Sequence, residues 1–408
     1  MKKLLLPAFA LLCAGVIAAA FWYVRPGSEF SPREVIAMVN IEDRREVFRR
    51  METVYPSREV EPGEFVTTFP RAVTPLSVSY EWDGAERTFE DYAARRNVQG
   101  ILVLKDGVVV HERYFGEADA EDRFTSWSVA KSYISTLTAI AVEEGVIESF
   151  EDKASRYAKD YAGTDFGDTS IRHLLWMSSG IDFDENYENP KSDIRKLFVD
   201  TFLWNKDVDD VVRAHRRNRP AGQDLDYISS NTQVLAGVLR GAYDMSLIEI
   251  FNEKLAQPLG YSGGSWLTDR QGIAAKELGY CCLQLTLEDY AKLGQLYVQD
   301  GVFGEERILP AGWVDMVRTP PQASHEPGGD GQLGYSYQFW LPGGDEGSFT
   351  MQGYNGQFVH MDPDLGAVIV MVSADRGPVV EKPEFVQLFR AIKNQLPDDM
   401  TRVRRAGL

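Results

Sequence analysis

Thr125-Ser126-Trp127-Ser128-Val129-Ala130-Lys131, followed by the apolar run from Ser132 to Ile147, is the stretch that orders the rest of the chain. The run is apolar on nearly every face, which predicts a helix buried on all sides. Residues three apart on a helix share a face, so Ser128 and Lys131 at its start point into the same space. A lysine held in apolar surroundings loses its proton more easily and can serve as a base. The free N–H groups of a helix start also favour a developing negative charge. The bland alternative is a surface helix start with Ser128 as its cap.

Composition narrows the field. The chain has 408 residues, 44% hydrophobic and 25% charged, which is the profile of a globular protein large enough for two or three domain-sized units. Its 61 acidic against 43 basic side chains give a formal charge of -18. That balance excludes non-specific nucleic-acid binding, which needs a basic surface. Cys13, Cys281 and Cys282 cannot staple a fold of this size, and the last two, being adjacent, are not expected to pair. There is no CxxC or HExxH pattern and the five histidines are scattered, so neither a metal nor another cofactor is expected.

Lys2-Lys3 followed by the uncharged stretch Leu4 to Val24 reads as a targeting segment, residues 1–24. It is either a signal peptide cut after Ala18-Ala19-Ala20 or an anchor, with Phe21-Trp22-Tyr23 at the membrane interface. Both readings export the remainder, to the periplasm or to the outer side of an inner-membrane anchor. If uncleaved, residues 4–24 make the membrane a partner. Residues 25–70 read as a linker or stalk with a helix near Ile41 to Val54. Ile101 to Leu104, Lys105-Asp106-Gly107 and Val108 to Val110 form a hairpin pattern. Strand patterns return at Tyr335 to Leu341, Ser348 to Gln352, Gln357 to Met361 and Ala367 to Val372, and Glu381 to Leu396 reads as a last helix. An α/β domain assembled from 71–147 and 300–408 is therefore expected, with an inserted all-α domain at 148–299 and the active site between them.

Two further motifs carry chemistry. Tyr227-Ile228-Ser229 precedes a helix beginning near Thr232. A tyrosine beside a lysine ammonium is expected to titrate lower and to shuttle protons, and Ser229 faces the same side of an extended segment. Gly353-Tyr354-Asn355-Gly356-Gln357 lies between two strand patterns. It suits an ordinary Asn-Gly hairpin turn, or a strand edge giving the second oxyanion N–H, from Gln357, with Asn355 and Gly356 allowing close approach.

Together, Ser128-x-x-Lys131, Tyr227-x-Ser229 and the glycine-containing strand motif resemble the penicillin-recognising serine hydrolases over about residues 95–395. The phrase Tyr227-Ile228-Ser229-Ser230-Asn231-Thr232-Gln233-Val234-Leu235 is similar to class C β-lactamase-like enzymes, and most to 6-aminohexanoate-dimer hydrolases. The resemblance implies a β-lactamase/transpeptidase-like fold, an antiparallel sheet flanked by helices with the inserted helical domain. It implies a small ester or amide substrate opened through an acyl-enzyme on Ser128. Lys131 and Tyr227 would share the proton traffic, Ser229 would bond within their network, and the Ser128 and Gln357 N–H groups would form the oxyanion hole.

One departure bears on substrate. The basic residue or histidine expected at the start of the third motif is replaced by Tyr354, which disfavours a carboxylate-bearing β-lactam or peptidoglycan substrate. Asp182, Asp184, Glu185 and Tyr187 lie in the loop that would flank the site, and Asp182 and Asp184 are candidates to meet a cationic amine on the substrate. Trp127, Tyr187, Trp204 and Trp340 are candidates for lining its acyl pocket, and Tyr354 is a further candidate substrate contact. Competing readings are a β-lactamase or D,D-carboxypeptidase, and a non-catalytic binding module on the same fold. Gly260-Tyr261-Ser262-Gly263-Gly264 also fits a Gly-x-Ser-x-Gly elbow, with Asp330 and His360 as triad partners, but no strand pattern leads into it. Arg213, His215, Arg216, Arg217 and Arg219 form the one basic cluster, read as a solvated face with anionic lipid as the sharper alternative. Oligomeric state is not legible.

Overall fold

Strands β4 (Val98–Lys105) and β5 (Val108–Tyr114) pair around Asp106-Gly107, both in left-handed conformation, as an Asp-Gly hairpin demands. The computed structural model describes residues 2–25, 31–33, 41–328, 332–375 and 383–400. The other strands are β1 (Ser57–Val60), β2 (Ser79–Trp82), β3 (Ala85–Thr88), β6 (Phe124–Thr125), β7 (Gly264–Leu267), β8 (Leu283–Leu285), β9 (Val302–Phe303), β10 (Glu306–Arg307), β11 (Gly334–Ser336), β12 (Phe339–Leu341), β13 (Phe349–Gly353), β14 (Gln357–Asp362) and β15 (Ala367–Ser373). Among the described residues, helices of ten residues or more are α1 (Lys2–Val24), α2 (Val129–Glu143), α3 (Ser229–Tyr243), α4 (Leu287–Val298) and α5 (Glu384–Lys393).

The main sheet has seven antiparallel strands in the order β11-β12-β13-β14-β15-β4-β5. Its hairpin from the first third of the chain is closed by five strands from the last quarter. Alternation sorts the side chains. Leu102, Leu104, Val359, Val368 and Val370 join the core that holds α2, α3 and α4. Ile101, Val103, Phe358, Ile369 and Met371 meet Phe385, Leu388, Phe389 and Ile392 of α5 on the other face. Both faces are covered, which is why β4 and β15 are buried at every residue. The antiparallel sheet flanked by helices is thus as expected from the sequence.

Several boundaries differ. Tyr335 to Leu341 is two strands, because Tyr337 and Gln338 take φ of 45° and 70° and make a two-residue hairpin turn. The last helix is Glu384–Lys393, with residues 381 and 382 outside the described set. The segment 148–299 is not all-helical: β7 and β8 fall within it and join β1 and β6 in a second sheet, ordered β1-β7-β8-β6. α4, from the same segment, packs on β14, β15 and β4 of the main sheet. Short strands with every residue buried carry no alternation, so they look like interruptions in a helical pattern.

The described part of 25–70 is not a stalk. Residues 41–47 are helical, Met51–Thr53 is one 3-10 turn, and β1 is a sheet strand. Val47, Phe48, Met51, Val54 and Tyr55 are all buried in the core. Their spacing is helical, but the charged residues between them obscure it. Arg49 pairs with Asp122 at 3.0 Å and Arg50 with Glu46 at 2.9 Å on the outer side. Residues 26–30 and 34–40 of this stretch lie outside the described set. In α1, the window Pro7–Val24 has a mean hydropathy of 2.0 and is nowhere buried, so by length and composition it can cross a membrane.

Candidate active site

β6 leads straight into the loop that ends at Ser128. Ser126 donates its N–H to Leu283 O at 2.7 Å and accepts the Leu283 N–H on Oγ at 2.9 Å, which locks the loop to β8. Trp127 then takes a φ of 42°, a left-handed conformation that a bulky side chain adopts only where its surroundings enforce it. Ser128 is the N-cap residue of α2, yet its hydroxyl makes no capping bond. Thr88, Ser170, Ser192, Ser246 and Thr286, at other helix starts, each accept an N–H from the first turn. The capping-serine reading therefore fails. The hydroxyl faces Lys131, whose Nζ lies 2.8 Å from Ser128 Oγ and 2.9 Å from the Tyr280 carbonyl.

Lys131 is 1% exposed. Burial pushes its ammonium down to about 7, against a partial upward pull from the Glu185 carboxylate. Its Nζ lies 5.1 Å from the centre of the Tyr227 ring. Tyr227 sits on the extended approach to α3, its ring packed on Trp340 at 5.2 Å and edge-on to Tyr335 at 5.8 Å. Its titration runs against the sequence expectation. Burial and the Glu185 charge raise the phenol well above its ordinary value, and the bond to Ser128 offsets this only in part. The Tyr227 phenol is thus kept in its protonated form.

Ser229 is placed differently from the expectation too. Its Oγ donates to Glu185 Oε1 at 2.5 Å and its N–H to Glu185 Oε2 at 2.9 Å, so it reaches the Lys131–Tyr227 pair only through that carboxylate. Tyr187 donates to the same Oε1 at 2.7 Å. Glu185 thus closes the first turn of α3, where a negative charge is favoured, and burial raises its own titration. Glu185 was visible only as one acid among several in the loop. What marks it is that it points inward while its neighbours do not. Asp184 accepts from Asn186 and Asn189 within the loop. Asp182 is exposed, its N–H bonded to Arg216 O, and among the described contacts its carboxylate joins none around Ser128. The structure does not bring Asp182 into the site.

The third motif is a turn whose first glycine lies against the loop before Ser128. Asn355 and Gly356 take φ of 62° and 88° in the loop joining β13 to β14. Gly353, at the end of β13, lies against the loop before Ser128: a Cβ there would sit 2.3 Å from the Ser126 carbonyl oxygen, so only glycine allows this approach. Tyr354 follows, stacked on Tyr187 at 4.7 Å and edge-on to Trp127 at 6.1 Å. The Gln357 carboxamide donates to Ser373 O of β15 at 2.6 Å, and the Asn355 carboxamide to Asp375 O at 2.8 Å. Trp127 also meets Phe198 at 6.0 Å, so Trp127, Phe198, Tyr187 and Tyr354 make one aromatic wall beside Ser128. Phe198 lacked any sequence signal beyond being aromatic.

A family model for beta-lactamase matches residues 85–389. The chain belongs to the beta-lactamase family. A 6-aminohexanoate-dimer hydrolase from Paenarthrobacter ureafaciens is 26% identical to this beta-lactamase relative over 287 residues, covering 67% of this chain and 72% of that enzyme. A Bacillus anthracis structure assigned as a 6-aminohexanoate-dimer hydrolase superimposes with a TM-score of 0.77 at 21% identity, over 87% of this chain and 94% of that one. A family VIII carboxylesterase superimposes with a TM-score of 0.57 at 16% identity, over 75% and 94% of the two chains. Within this family the chain is a serine hydrolase.

The competing nucleophile is excluded by its surroundings. Ser262 Oγ donates to Asp289 at 2.6 Å, and a strand, not a helix, follows it. His360 is buried in the main sheet against Thr350 and is pushed down to about 3 by burial, while Asp330 lies outside the described residues. The basic cluster is largely occupied by structure: Arg217 bonds Ser179 O, Asp165 O and Thr169, Arg219 pairs with Asp226, and Arg213 with Asp210. The cysteine expectation is overturned. Cys281 and Cys282 form a disulfide, next to the carbonyl that receives Lys131.

Proposed function

We propose that Ser128 is the nucleophile of an ester and amide hydrolase with an uncharged acyl pocket. The observation that carries this reading is the uncapped Ser128 hydroxyl, 2.8 Å from a buried amine that titrates near 7. Neutral Lys131 takes the Ser128 proton as Oγ attacks the substrate carbonyl. The tetrahedral oxyanion is received by the N–H of Ser128 at the start of α2 and by the N–H of Tyr354. Tyr354 replaces Gln357 in this role because Gly353, beside it, is the residue that approaches the nucleophile loop. Tyr227, kept protonated, hands a proton to the leaving alcohol or amine and is recharged from Lys131. Water then attacks the acyl-enzyme by the reverse proton path. Glu185 positions Ser229 and Tyr187 and tunes Lys131 by its charge.

The aromatic wall of Trp127, Phe198, Tyr187 and Tyr354 favours an apolar substrate flank over a carboxylate. The test is turnover of p-nitrophenyl acetate, a 6-aminohexanoate dimer and nitrocefin by wild type and by Ser128→Ala. Ester or dimer hydrolysis that falls at least about 10³-fold in the variant supports the reading. Activity that survives the substitution removes it, and turnover dominated by nitrocefin redirects it to β-lactams. A fluorophosphonate probe separates an enzyme from a binding module, since only the former labels at Ser128.

The same reading places the catalytic part outside the cytoplasm, held by α1. Trp22 near the end of α1 stacks on the exposed Trp204 at 5.4 Å, which suits an anchor packed against the domain it carries. Carbonate extraction of membranes from expressing cells checks this: retention in the membrane fraction at full length supports an anchor, and a soluble protein starting near residue 20 supports a cleaved signal.

A further inference from the structure

The Tyr280 carbonyl is a hinge of the mechanism. A neutral lysine amine has one lone pair, and the direction of that lone pair depends on where its N–H groups are held. Lys131 donates to Tyr280 O at 2.9 Å, which leaves the lone pair to face Ser128 Oγ at 2.8 Å. Whatever fixes the Tyr280 carbonyl therefore aims the base. Tyr280 itself sits in a tight turn, Cys281 N–H donating to Leu278 O at 3.0 Å.

The next two residues are the bonded pair Cys281–Cys282. A disulfide between neighbours closes a small ring through their shared peptide and restricts the backbone on both sides of it. Cys282 is in left-handed conformation, φ 73°, which residues other than glycine disfavour. The ring is buried, with Cys281 2% and Cys282 0% exposed. Its carbonyls are pinned from the neighbouring strand: Trp266 Nε1 donates to Cys281 O at 2.9 Å and Leu267 N–H to Cys282 O at 3.1 Å. Leu283 follows at once and is the residue that locks Ser126. One three-residue step thus connects the acceptor of Lys131 to the anchor of the nucleophile loop, and the disulfide lies in its middle.

We propose that the Cys281–Cys282 disulfide is a positioning element for the general base: it holds the left-handed turn that keeps the Tyr280 carbonyl aimed at Lys131. The inference rests on Lys131 acting as the base toward Ser128. Neither sulfur touches substrate.

The experiment compares three full-length proteins on a neutral p-nitrophenyl ester across pH: wild type, Cys281→Ala/Cys282→Ala, and Cys281→Ala/Cys282→Gly. Both variants lose the bond, but glycine accepts the left-handed turn and alanine does not. The alanine variant is expected to lose kcat by about ten- to a hundred-fold with KM little changed, and to shift the acid limb of its pH profile. The glycine variant is expected to recover most of kcat. A kcat and pH profile unchanged in the alanine variant overturns the proposal. So does full alkylation of Cys281 and Cys282 when active wild type is unfolded in denaturant without a reductant, because the bond is then absent. If the alanine variant does not fold, wild type treated with a water-soluble phosphine gives the same readout. One disulfide and one water yield two thiols as the phosphine goes to its oxide; activity unchanged by complete reduction overturns the proposal. Ser128→Ala run alongside separates the two claims: activity retained there sinks the base assignment itself, whatever the cysteines do.

Discussion

Two buried lysines in this protein stand in nearly the same backbone setting. Lys131 in α2 and Lys292 in α4 each lie 1% exposed, in the opening turns of a helix, and each donates to a distant backbone carbonyl, Tyr280 O or Gly260 O. They differ in the residue three positions earlier. For Lys292 it is Asp289, at 2.7 Å, which also takes the N–H and hydroxyl of Ser262. For Lys131 it is Ser128, which brings a hydroxyl and no charge. The first lysine is an ion-paired strut between α4 and the 260–262 turn. The second is buried without a directly bonded carboxylate, and titrates near 7 for that reason. Lys276 supports the rule: it too is partly buried, but Asp209 and Asp207 hold its ammonium above the ordinary value. A buried lysine beside a neutral partner is pushed toward its neutral form, and one beside a carboxylate is held in an ion pair.

The comparison breaks most visibly at Asp289. Asp289→Asn leaves a buried ammonium unpaired and is expected to lower stability by about 3–5 kcal/mol, read from denaturant midpoints, while kcat per folded molecule stays the same. Next in size is the pH response. Only neutral Lys131 can accept the Ser128 proton, so kcat/KM should fall about tenfold per unit below a midpoint near 7. A midpoint near the ordinary lysine range would mean that burial beside a neutral hydroxyl does not free the Lys131 amine.

Lys131→Met is the converse of the Asp289 substitution. In wild type the folded state holds this amine at a lower pKa than the unfolded chain, so between about 7 and the ordinary value the unfolded state binds more protons and stability rises with pH. The methionine variant should be inactive but more stable than wild type at neutral and lower pH. That gain should shrink as pH rises through this window. Urea melts at several pH values would show it, and a uniform loss of stability would contradict it. The smallest effect is expected for Glu185→Gln. Removing the charge that raises Lys131 should move the acid limb to lower pH by less than about one unit, with a modest fall in kcat. A shift to higher pH would mean that Glu185 does not act on Lys131 by its charge.

These cases also show what kind of feature a sequence discloses. Ser128 and Lys131 were legible because their relation is local: three residues on a helix meet whatever the rest of the chain does. Tyr227 was legible from its motif, but the direction of its titration was not, since that depends on burial and on a carboxylate 42 residues away in sequence. Glu185 looked no different from Asp182 and Asp184, because the loop conformation alone decides which acid turns inward. The main sheet could be anticipated from its alternating and β-branched runs. β7 and β8 could not, being short and buried throughout.

By itself, then, the amino-acid order determined the helix that follows Ser128, the pairing of Ser128 with Lys131, the hairpins at Asp106-Gly107 and Asn355-Gly356, and an apolar segment able to enter a membrane. Each depends on interactions within a few residues. Tertiary structure alone decided that Tyr280 supplies the acceptor for Lys131, that Gly353 meets the loop before Ser128, that Val47, Phe48, Met51, Val54 and Tyr55 belong to the core, and that Cys281 bonds Cys282. Those depend on contacts between segments far apart in the chain, or on a left-handed turn that the neighbouring strand holds in place, and neither is encoded in any local pattern.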